Sequence, residues 1–214
     1  MALEQPAAQA PKPKKFHFIG GSLCLDFCNT VGGKRGGIAR ENLHSYPDLV
    51  SWVEQAGLAT GPAVERLGRL GSKHPAEAAA TLERALELRE AIYRIFLAIA
   101  EAQRPRGTDL AVLNAELAQA LGRRGVAASG HDDGFEWRWS DPSKLDDPLG
   151  PVALSAAELV TDPKAVQRVR QCEGETCGWL FLDHSKNHSR CWCDMRDCGN
   201  LAKVRRHRLR HKRG

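Results

Sequence analysis

Four cysteines constrain the folding of this chain more than any other feature of its sequence. They follow the pattern Cys172-x4-Cys177-x15-Cys193-x4-Cys198, two close pairs separated by a hairpin-sized segment. Such pairs are the usual framework of a structural zinc site, in which four thiolates complete a tetrahedral coordination sphere. The spacing therefore predicts one structural Zn²⁺ bound by these four side chains. Buried or reactive free thiols are the alternative interpretation.

Three other potential ligands lie near the cluster. Cys191 is two residues from Cys193, so on a strand the two side chains would face opposite ways. His184 and His188 are expected to be loop histidines, because four thiolates already satisfy the metal.

The segments around the cysteines predict a small finger that is similar to a treble clef. Residues 178–183 are typical of a strand, and residues 194–200 lead into a basic helix. Trp179, Phe181 and Trp192 are expected to form the core of the finger.

The second cysteine pair resembles a known family motif. Cys193-Asp194-Met195-x2-Cys198-Gly199-Asn200 is similar to the motif that names the CGNR zinc fingers, and the upstream pair and Trp192-Cys193 match it too. Leu201 stands where that motif has Arg, and Cys191 stands where a basic residue is common. The first departure affects any DNA contact that the Arg would make, and metal binding does not depend on it.

An N-terminal segment extends the resemblance over nearly the whole chain after the first 15 residues. Gly20-Gly21-x-Leu23-x-Leu25-Asp26-Phe27-x-Asn29-Thr30 resembles the start of the ABATE domain, which accompanies that finger. Together the two resemblances imply four zinc-binding cysteines and a bacterial transcription regulator, sometimes described as stress-induced.

Hydrophobic periodicity predicts an α+β fold dominated by helices. Residues 1–15 are expected to be a disordered tail, residues 16–163 an ABATE-like domain, and residues 164–214 the zinc finger with its basic C-terminal helix. Within the ABATE-like domain we expect a short strand at 16–19 and helices from residue 23, after Pro47, over 75–102, from Thr108 and near 152–160. Alternating Phe135, Trp137 and Trp139 after Asp133-Gly134 predict a β-hairpin.

Three polar residues interrupt apolar patterns in the ABATE-like domain, and several interpretations of them remain open. Asp26 and Asn29 lie in an apolar segment, and Arg89 interrupts an apolar stripe of the longest helix. Because a buried charge needs a partner, Asp26 and Arg89 either form a buried pair or line a small-molecule pocket. Arg89 could instead extend to water. Cys24 and Cys28 are expected to pack in the core.

The C-terminal segment concentrates positive charge. Residues 164–214 carry a net charge of +8, whereas residues 1–163 carry −3. Such density favours a polyanion partner, although a solvated basic terminus is the plainer alternative. Leu201, Val204 and Leu209 are expected to pack inward. The candidate nucleic-acid contacts are Lys203, Arg205, Arg206, Arg208, Arg210, Lys212 and Arg213.

These patterns favour a DNA-binding transcription regulator whose N-terminal domain senses a ligand or mediates association, including oligomer formation. An RNA-associated or protein-interaction zinc module is the alternative. No GxSxG, P-loop or HExxH pattern is present, so an enzyme is not expected. No apolar run approaches the ~20 residues that span a bilayer, and the first residues lack the apolar core of a signal peptide. A cytoplasmic protein without membrane contact is expected.

Overall fold

Seven α-helices and three small antiparallel sheets form the part of the chain that this computed structural model describes, residues 14–130, 134–140 and 143–211. The helices are α1 (Leu23–Cys28), α2 (Tyr46–Gln55), α3 (Pro62–Lys73), α4 (Pro75–Ala100), α5 (Gly107–Leu121), α6 (Leu149–Thr161) and α7 (Asn200–His211). The sheets pair β1 (Gly32–Gly33) with β2 (Ala39–Arg40), β3 (Arg124–Ala128) with β4 (Phe135–Trp139), and β5 (Val169–Gln171) with β6 (Leu180–Leu182). The predicted α+β class and the finger after a mainly helical body are confirmed.

Helix α4 lies at the centre of the fold. Leu88, Ile92 and Ile95 on one of its apolar stripes and Phe96 on the other are fully buried. The other helices of the N-terminal body, α1, α2, α3, α5 and α6, pack around it, and so do β5 and β6. The predicted central helix with two apolar faces is confirmed, since only a helix surrounded by partners can bury both stripes.

The N-terminal segment differs from its prediction. Residues 16–19 form no strand. Phe16 is buried, and its amide donates to the Gln55 side chain at 3.1 Å. The Gln55 side chain thus accepts the hydrogen bond that a neighbouring strand would accept in a sheet. The predicted disorder of residues 1–15 falls almost entirely outside the described residues.

Two features of the helical body were not expected from periodicity. The sequence patterns predict no helix at α3, whose polar composition and two glycines weaken the helical signal. Leu121 is exposed, although its spacing with Leu110, Leu113 and Leu117 predicts an inward position, because α5 ends at this residue. The β3–β4 hairpin is confirmed, with Asp133 of its predicted turn outside the described residues.

The β5–β6 pair is part of the main core and not a separate unit. Val169, Leu180 and Leu182 belong to the same buried cluster as the helices. The predicted division of the chain near residues 161–163 therefore stays a prediction.

Hydrogen bonds from the helical body cover the outer edge of β6. The Asn29 side chain donates to the Leu180 carbonyl at 2.9 Å and accepts from the Leu180 amide at 3.0 Å. The Leu182 amide donates to the Gly20 carbonyl at 2.8 Å. These bonds satisfy the backbone groups of β6 that point away from β5 and would otherwise lack partners.

We predict that Asn29→Ala destabilises the protein by about 2–4 kcal/mol, because it leaves a buried amide and a buried carbonyl of Leu180 without partners. Urea unfolding followed by circular dichroism measures the change in the free energy of unfolding. The matched control is Asn114→Ala on the exposed surface of α5, expected to change that free energy by less than ~0.5 kcal/mol. Equal effects of the two variants would contradict the role of Asn29.

Candidate metal centre

Each of the four cysteines is placed by a different local structure. Cys172 directly follows β5, and Cys177 ends the turn that returns the chain towards β6. Cys193 follows the loop after β6, and Cys198 lies in a single turn of π-helix (Met195–Gly199) that runs into α7. Two ligands therefore flank the turn of a hairpin, one follows the loop after β6, and one lies in the turn that leads into a helix, as predicted for a treble-clef-like finger.

The four sulfurs converge to the dimensions of a zinc site. All four Sγ atoms lie within 4.8 Å of one another. The Cys177–Cys193 distance is 3.8 Å and the Cys193–Cys198 distance is 3.7 Å between sulfurs. A tetrahedral ion with Zn–S bonds of about 2.3 Å requires sulfurs about 3.8 Å apart. The cluster thus fits a single Zn²⁺ bound by four thiolates.

Hydrogen bonding and charge also suit thiolate ligands. The amides of Gly174 and Cys193 each donate to the Cys172 sulfur at 3.4 Å. Hydrogen bonds from the Cys177 and Cys193 thiols, followed by these amides, lower the pKa of Cys172. Hydrogen bonds from the Cys193 thiol to the Cys172 and Cys177 sulfurs raise the pKa of Cys193, and its burial raises it further. A divalent cation would stabilise all four sulfurs as thiolates.

Gly174 makes the turn between the first two ligands possible. A Cβ at this position would lie 2.9 Å from Cys177 Cβ and 3.2 Å from the Cys198 sulfur. A side chain there would displace a ligand, so only glycine suits this position.

A buried aspartate and an arginine organise the loop between β6 and Cys193. Asp183 is fully buried, and its carboxylate accepts from the amides of Ser185 at 2.8 Å and Arg190 at 2.9 Å. The Arg190 guanidinium lies 4.5 Å above the Phe181 ring and donates to the carbonyls of Trp192 and Cys193. Neither residue was predicted from the sequence, because the signal would have been only a charged residue in a polar loop.

The other candidate donors lie outside the cluster. Among the described residues, the group that could hold a metal contains Cys172, Cys177, Cys193 and Cys198 alone. The Cys191 thiol is directed to the Ser189 carbonyl at 3.5 Å, and His188 to the Asp183 carbonyl at 3.4 Å. Phe181 is fully buried against the ligand cysteines with Trp179 and Trp192 beside it, as expected for the core of the finger.

The finger is also bonded to the helical body. The Tyr93 hydroxyl donates to the Gly178 carbonyl at 3.0 Å and accepts from Gln171 at 3.0 Å. The Trp179 indole donates to the Val31 carbonyl at 2.8 Å. These contacts fix the turn beside Cys177 against α4 and against the segment that follows α1.

Helix α7 presents cations to solvent immediately after the last cysteine. Lys203, Arg205, Arg206 and Arg208 are exposed, and Arg205 forms an ion pair with Glu175 of the turn. Arg210 is placed in the helix by its backbone, while its side chain, Lys212 and Arg213 lie outside the described residues.

The apolar side chains of α7 do not pack inward, so that prediction is wrong. Leu201, Val204 and Leu209 are 63%, 48% and 53% exposed. Their helix stands away from the turn at residues 173–177 and leaves a groove of about 610 Å³ between them. The small core around Phe181 is already filled by the cysteines and the two tryptophans, which leaves these side chains no place in it.

The structure does not pair Asp26 with Arg89, which was one of the interpretations that the sequence left open. Arg89 is only 3% exposed, so it does not extend to water, and its guanidinium binds Glu41 at 2.6 Å and Glu90 at 3.0 Å. Asp26 instead accepts from the Gly20 amide at 2.7 Å, and burial raises its pKa to about 6. Together with Asn29 they hold the body together through protein partners, and a ligand pocket formed by the three stays an untested prediction. Cys24 and Cys28 are fully buried, as expected for core thiols.

Comparison with known families agrees with this architecture. Residues 21–163 match the ABATE model, described as a putative stress-induced transcription regulator. The chain belongs to the ABATE family. Residues 168–211 match the CGNR zinc finger, which contains all four clustered cysteines. Comparison with curated protein sequences finds no match.

Several conclusions follow for this ABATE protein. Its C-terminal segment is a zinc finger with four cysteines placed to bind one zinc ion. Both matched families are regulatory or zinc-finger families and not families of enzymes. None of the helices in the described ranges has both the length and the apolar character that crossing a bilayer requires.

We predict one zinc per chain, lost on Cys172→Ser or Cys193→Ser because three thiolates leave the coordination sphere open. Cys191→Ser is the matched control and should retain the metal, since its sulfur lies outside the cluster. Elemental analysis of the purified variants measures the stoichiometry. Zinc retained in Cys193→Ser and lost in Cys191→Ser would overturn the ligand set.

Proposed function

We propose that this protein is a DNA-binding transcription regulator that contacts duplex DNA through α7. The observation that carries the proposal is a row of exposed cations on a helix whose first turn follows a metal ligand. Lys203, Arg206 and Arg208 project into solvent from a helix that contains no acidic residue. Guanidinium groups on a rigid helix suit phosphate oxygens, which supply most of the affinity in such complexes.

The charge distribution supports a polyanion at this surface. The last 51 residues carry +8, although the whole chain carries only +5. Glu175 neutralises part of this charge by pairing with Arg205. Arg206 and Arg208 are therefore better placed than Arg205 to bind phosphate.

The aromatic side chains favour duplex DNA over single strands. Proteins that bind single-stranded nucleic acid stack bases on exposed aromatic rings. In the finger, Phe181 is fully buried, and Trp179 and Trp192 pack beside it against the ligand cysteines. None of these three rings offers the fully exposed face that stacking needs.

Leu201 is placed to contact DNA, although it stands where the CGNR zinc-finger motif has Arg. Its side chain is 63% exposed in the first turn of α7. If this position reads a base, Leu201→Arg will sharpen sequence preference. If position 201 contacts only the phosphate backbone of DNA, Leu201→Arg will raise affinity equally for all DNA sequences.

We assign the signal-receiving role to the N-terminal domain, in a cytoplasmic protein. A cavity of about 480 Å³ between the α2–α3 turn and the start of α6 has the size of a small-molecule site. Trp139, Leu58 and Pro62 supply apolar walls, while Arg123 and Asp147 supply an ion pair. This cavity supports ligand sensing in the stress response that the family description names.

One observation favours a second candidate, a protein-interaction module. The groove beside α7 is lined by Leu201, Val204 and Leu209, and exposed apolar residues grouped in this way often mark protein contacts. A finger that binds neither DNA nor RNA would use this groove instead.

We predict steeply salt-dependent DNA binding by the zinc-loaded full chain. If about four cations reach phosphates, the slope of log K against log salt will be near −4, from ~0.9 per contact. Arg206→Gln with Arg208→Gln should weaken binding to all duplex sequences and flatten the slope by up to about two units. Fluorescence anisotropy with duplex and single-stranded competitors measures both effects.

A matched double variant controls for net charge. Arg69→Gln with Lys73→Gln removes two exposed cations from α3 and should leave the slope unchanged. A similar loss in both double variants would argue against α7 as the contact surface. Absence of binding to DNA and RNA at low salt would leave the protein-interaction module as the better account.

A further inference from the structure

The β3–β4 hairpin exposes a group of large apolar side chains. Phe135 is 80% exposed, and Trp137 and Val126 are each 62% exposed. Val126 lies directly opposite Trp137 in the ladder, so the three share one face. At the base of the hairpin, Trp139 packs on α6, where a Cβ on Gly150 would lie 3.0 Å from its ring. The hairpin is thus packed at its base, while Val126, Phe135 and Trp137 stay exposed.

Such a hairpin gains little stability alone. A two-stranded ribbon is marginal in water, and a single aromatic side chain carries roughly 150–250 Å² of surface. Phe135 and Trp137 together therefore expose a few hundred Å², the size of patch that marks an interaction site. Arg124 lies 4.7 Å from the Trp137 ring and covers only part of it.

The register of the hairpin shows which backbone groups point away from it. The Ser129 amide donates to the Gly134 carbonyl at 2.8 Å, and the Ser140 amide to the Arg123 carbonyl at 3.1 Å. Because hydrogen-bonded pairs alternate in an antiparallel ladder, Glu136 and Arg138 direct their backbone groups towards β3. Phe135, Trp137 and Trp139 direct theirs to the outer edge of β4, where no hydrogen bond to another described residue is found.

The order of side chains along β4 is complementary to itself. We propose that β4 pairs antiparallel with β4 of a second copy of this chain, about a two-fold axis at Trp137, to form a four-stranded sheet. In this register Trp137 exchanges backbone hydrogen bonds with the partner's Trp137, and Phe135 does so with the partner's Trp139. The outward backbone groups of both strands are then satisfied.

The charged residues of β4 select this partner and this direction. About the same axis, Glu136 lies opposite the partner's Arg138, and Arg138 opposite the partner's Glu136. These positions form the closer type of antiparallel pair, in which opposite charges stabilise and like charges destabilise. Within one copy the Arg138 guanidinium pairs with Glu136 across one intervening residue and also donates to the Ala128 carbonyl at 3.3 Å. Both side chains stay about half exposed. Parallel pairing in register would place like charges together.

The other edge of the hairpin lacks this complementarity. In β3 the equivalent positions are Gly125 and Ala127 on either side of Val126, which offer no charge pair. The interface is therefore isologous and uses β4. It does not depend on the proposed DNA binding, because it lies on a different element from α7.

The test is sedimentation velocity of the zinc-loaded full chain without nucleic acid, over about 1–200 µM. The wild type should form a dimer that weakens as salt rises. Glu136→Arg and Arg138→Glu should each weaken the dimer by roughly tenfold or more, since each brings two pairs of like charges together by symmetry. Circular dichroism should be unchanged, and so should thermal unfolding at concentrations where the wild type is monomeric, because both side chains are half exposed.

Mixing the two variants gives the sharpest outcome. A one-to-one mixture restores opposite charges in both pairs and should form a heterodimer about as tight as the wild-type dimer. The double variant Glu136→Arg with Arg138→Glu should also dimerise. The proposal is overturned if the wild type stays monomeric, if the single variants dimerise like the wild type, or if the mixture associates no better than its components. Binding of single-stranded DNA to a monomer at Trp137 would likewise replace it.

Discussion

The convergence of four thiols within 4.8 Å is the constraint on which the C-terminal zinc finger of this protein depends. Cys172 leaves β5 directly, and β5 is buried against α4, so the first ligand has a fixed place relative to the helical core. Cys198 lies in the π-helical turn that runs into α7. A metal that joins the two therefore transmits the position of the core to the basic helix. The finger has too little apolar core of its own to do this without the metal.

The finger is held by the body as well as by its metal. Asn29 pairs with the backbone of Leu180, and Tyr93 binds the carbonyl beside Cys177. A Cβ on Gly178 would lie 3.1 Å from the Lys34 backbone, which shows how closely the turn approaches the β1–β2 ribbon. A displacement of α1 or α4 would therefore be passed to the metal ligand Cys177 through only two residues. This arrangement offers a physical route by which a signal in the N-terminal domain could alter the presentation of α7.

Local patterns were enough to predict the features that repeat or pair along the chain. The cysteine spacing identified the ligands that the structure brings together, the double stripe of α4 identified the central helix, and alternation identified the β3–β4 hairpin. Helix α3 was not predicted, because its position depends on a tertiary contact. Gly71 lies so close to Tyr46 that a Cβ at this position would be 2.6 Å from the tyrosine ring. The pairing of Arg89 with Glu41 was not predicted for the same reason, since Glu41 is 48 residues away in the chain. The exposure of Leu201 and Val204 could not be predicted from their spacing. Spacing shows that two side chains share a face of a helix, but it does not show whether another part of the protein packs on that face.

Hydrogen exchange after zinc removal tests most directly whether the metal joins the basic helix to the core. When a chelator removes the metal from the full chain, amides of residues 172–177 and 190–211 should lose protection, because the remaining contacts of these segments are too few to replace the four metal–sulfur bonds. Amides of α1 and α4 should keep theirs, and so should those of β6, which the body bonds directly. Unchanged protection in α7 would contradict the account, and so would loss of protection throughout the chain in a single transition.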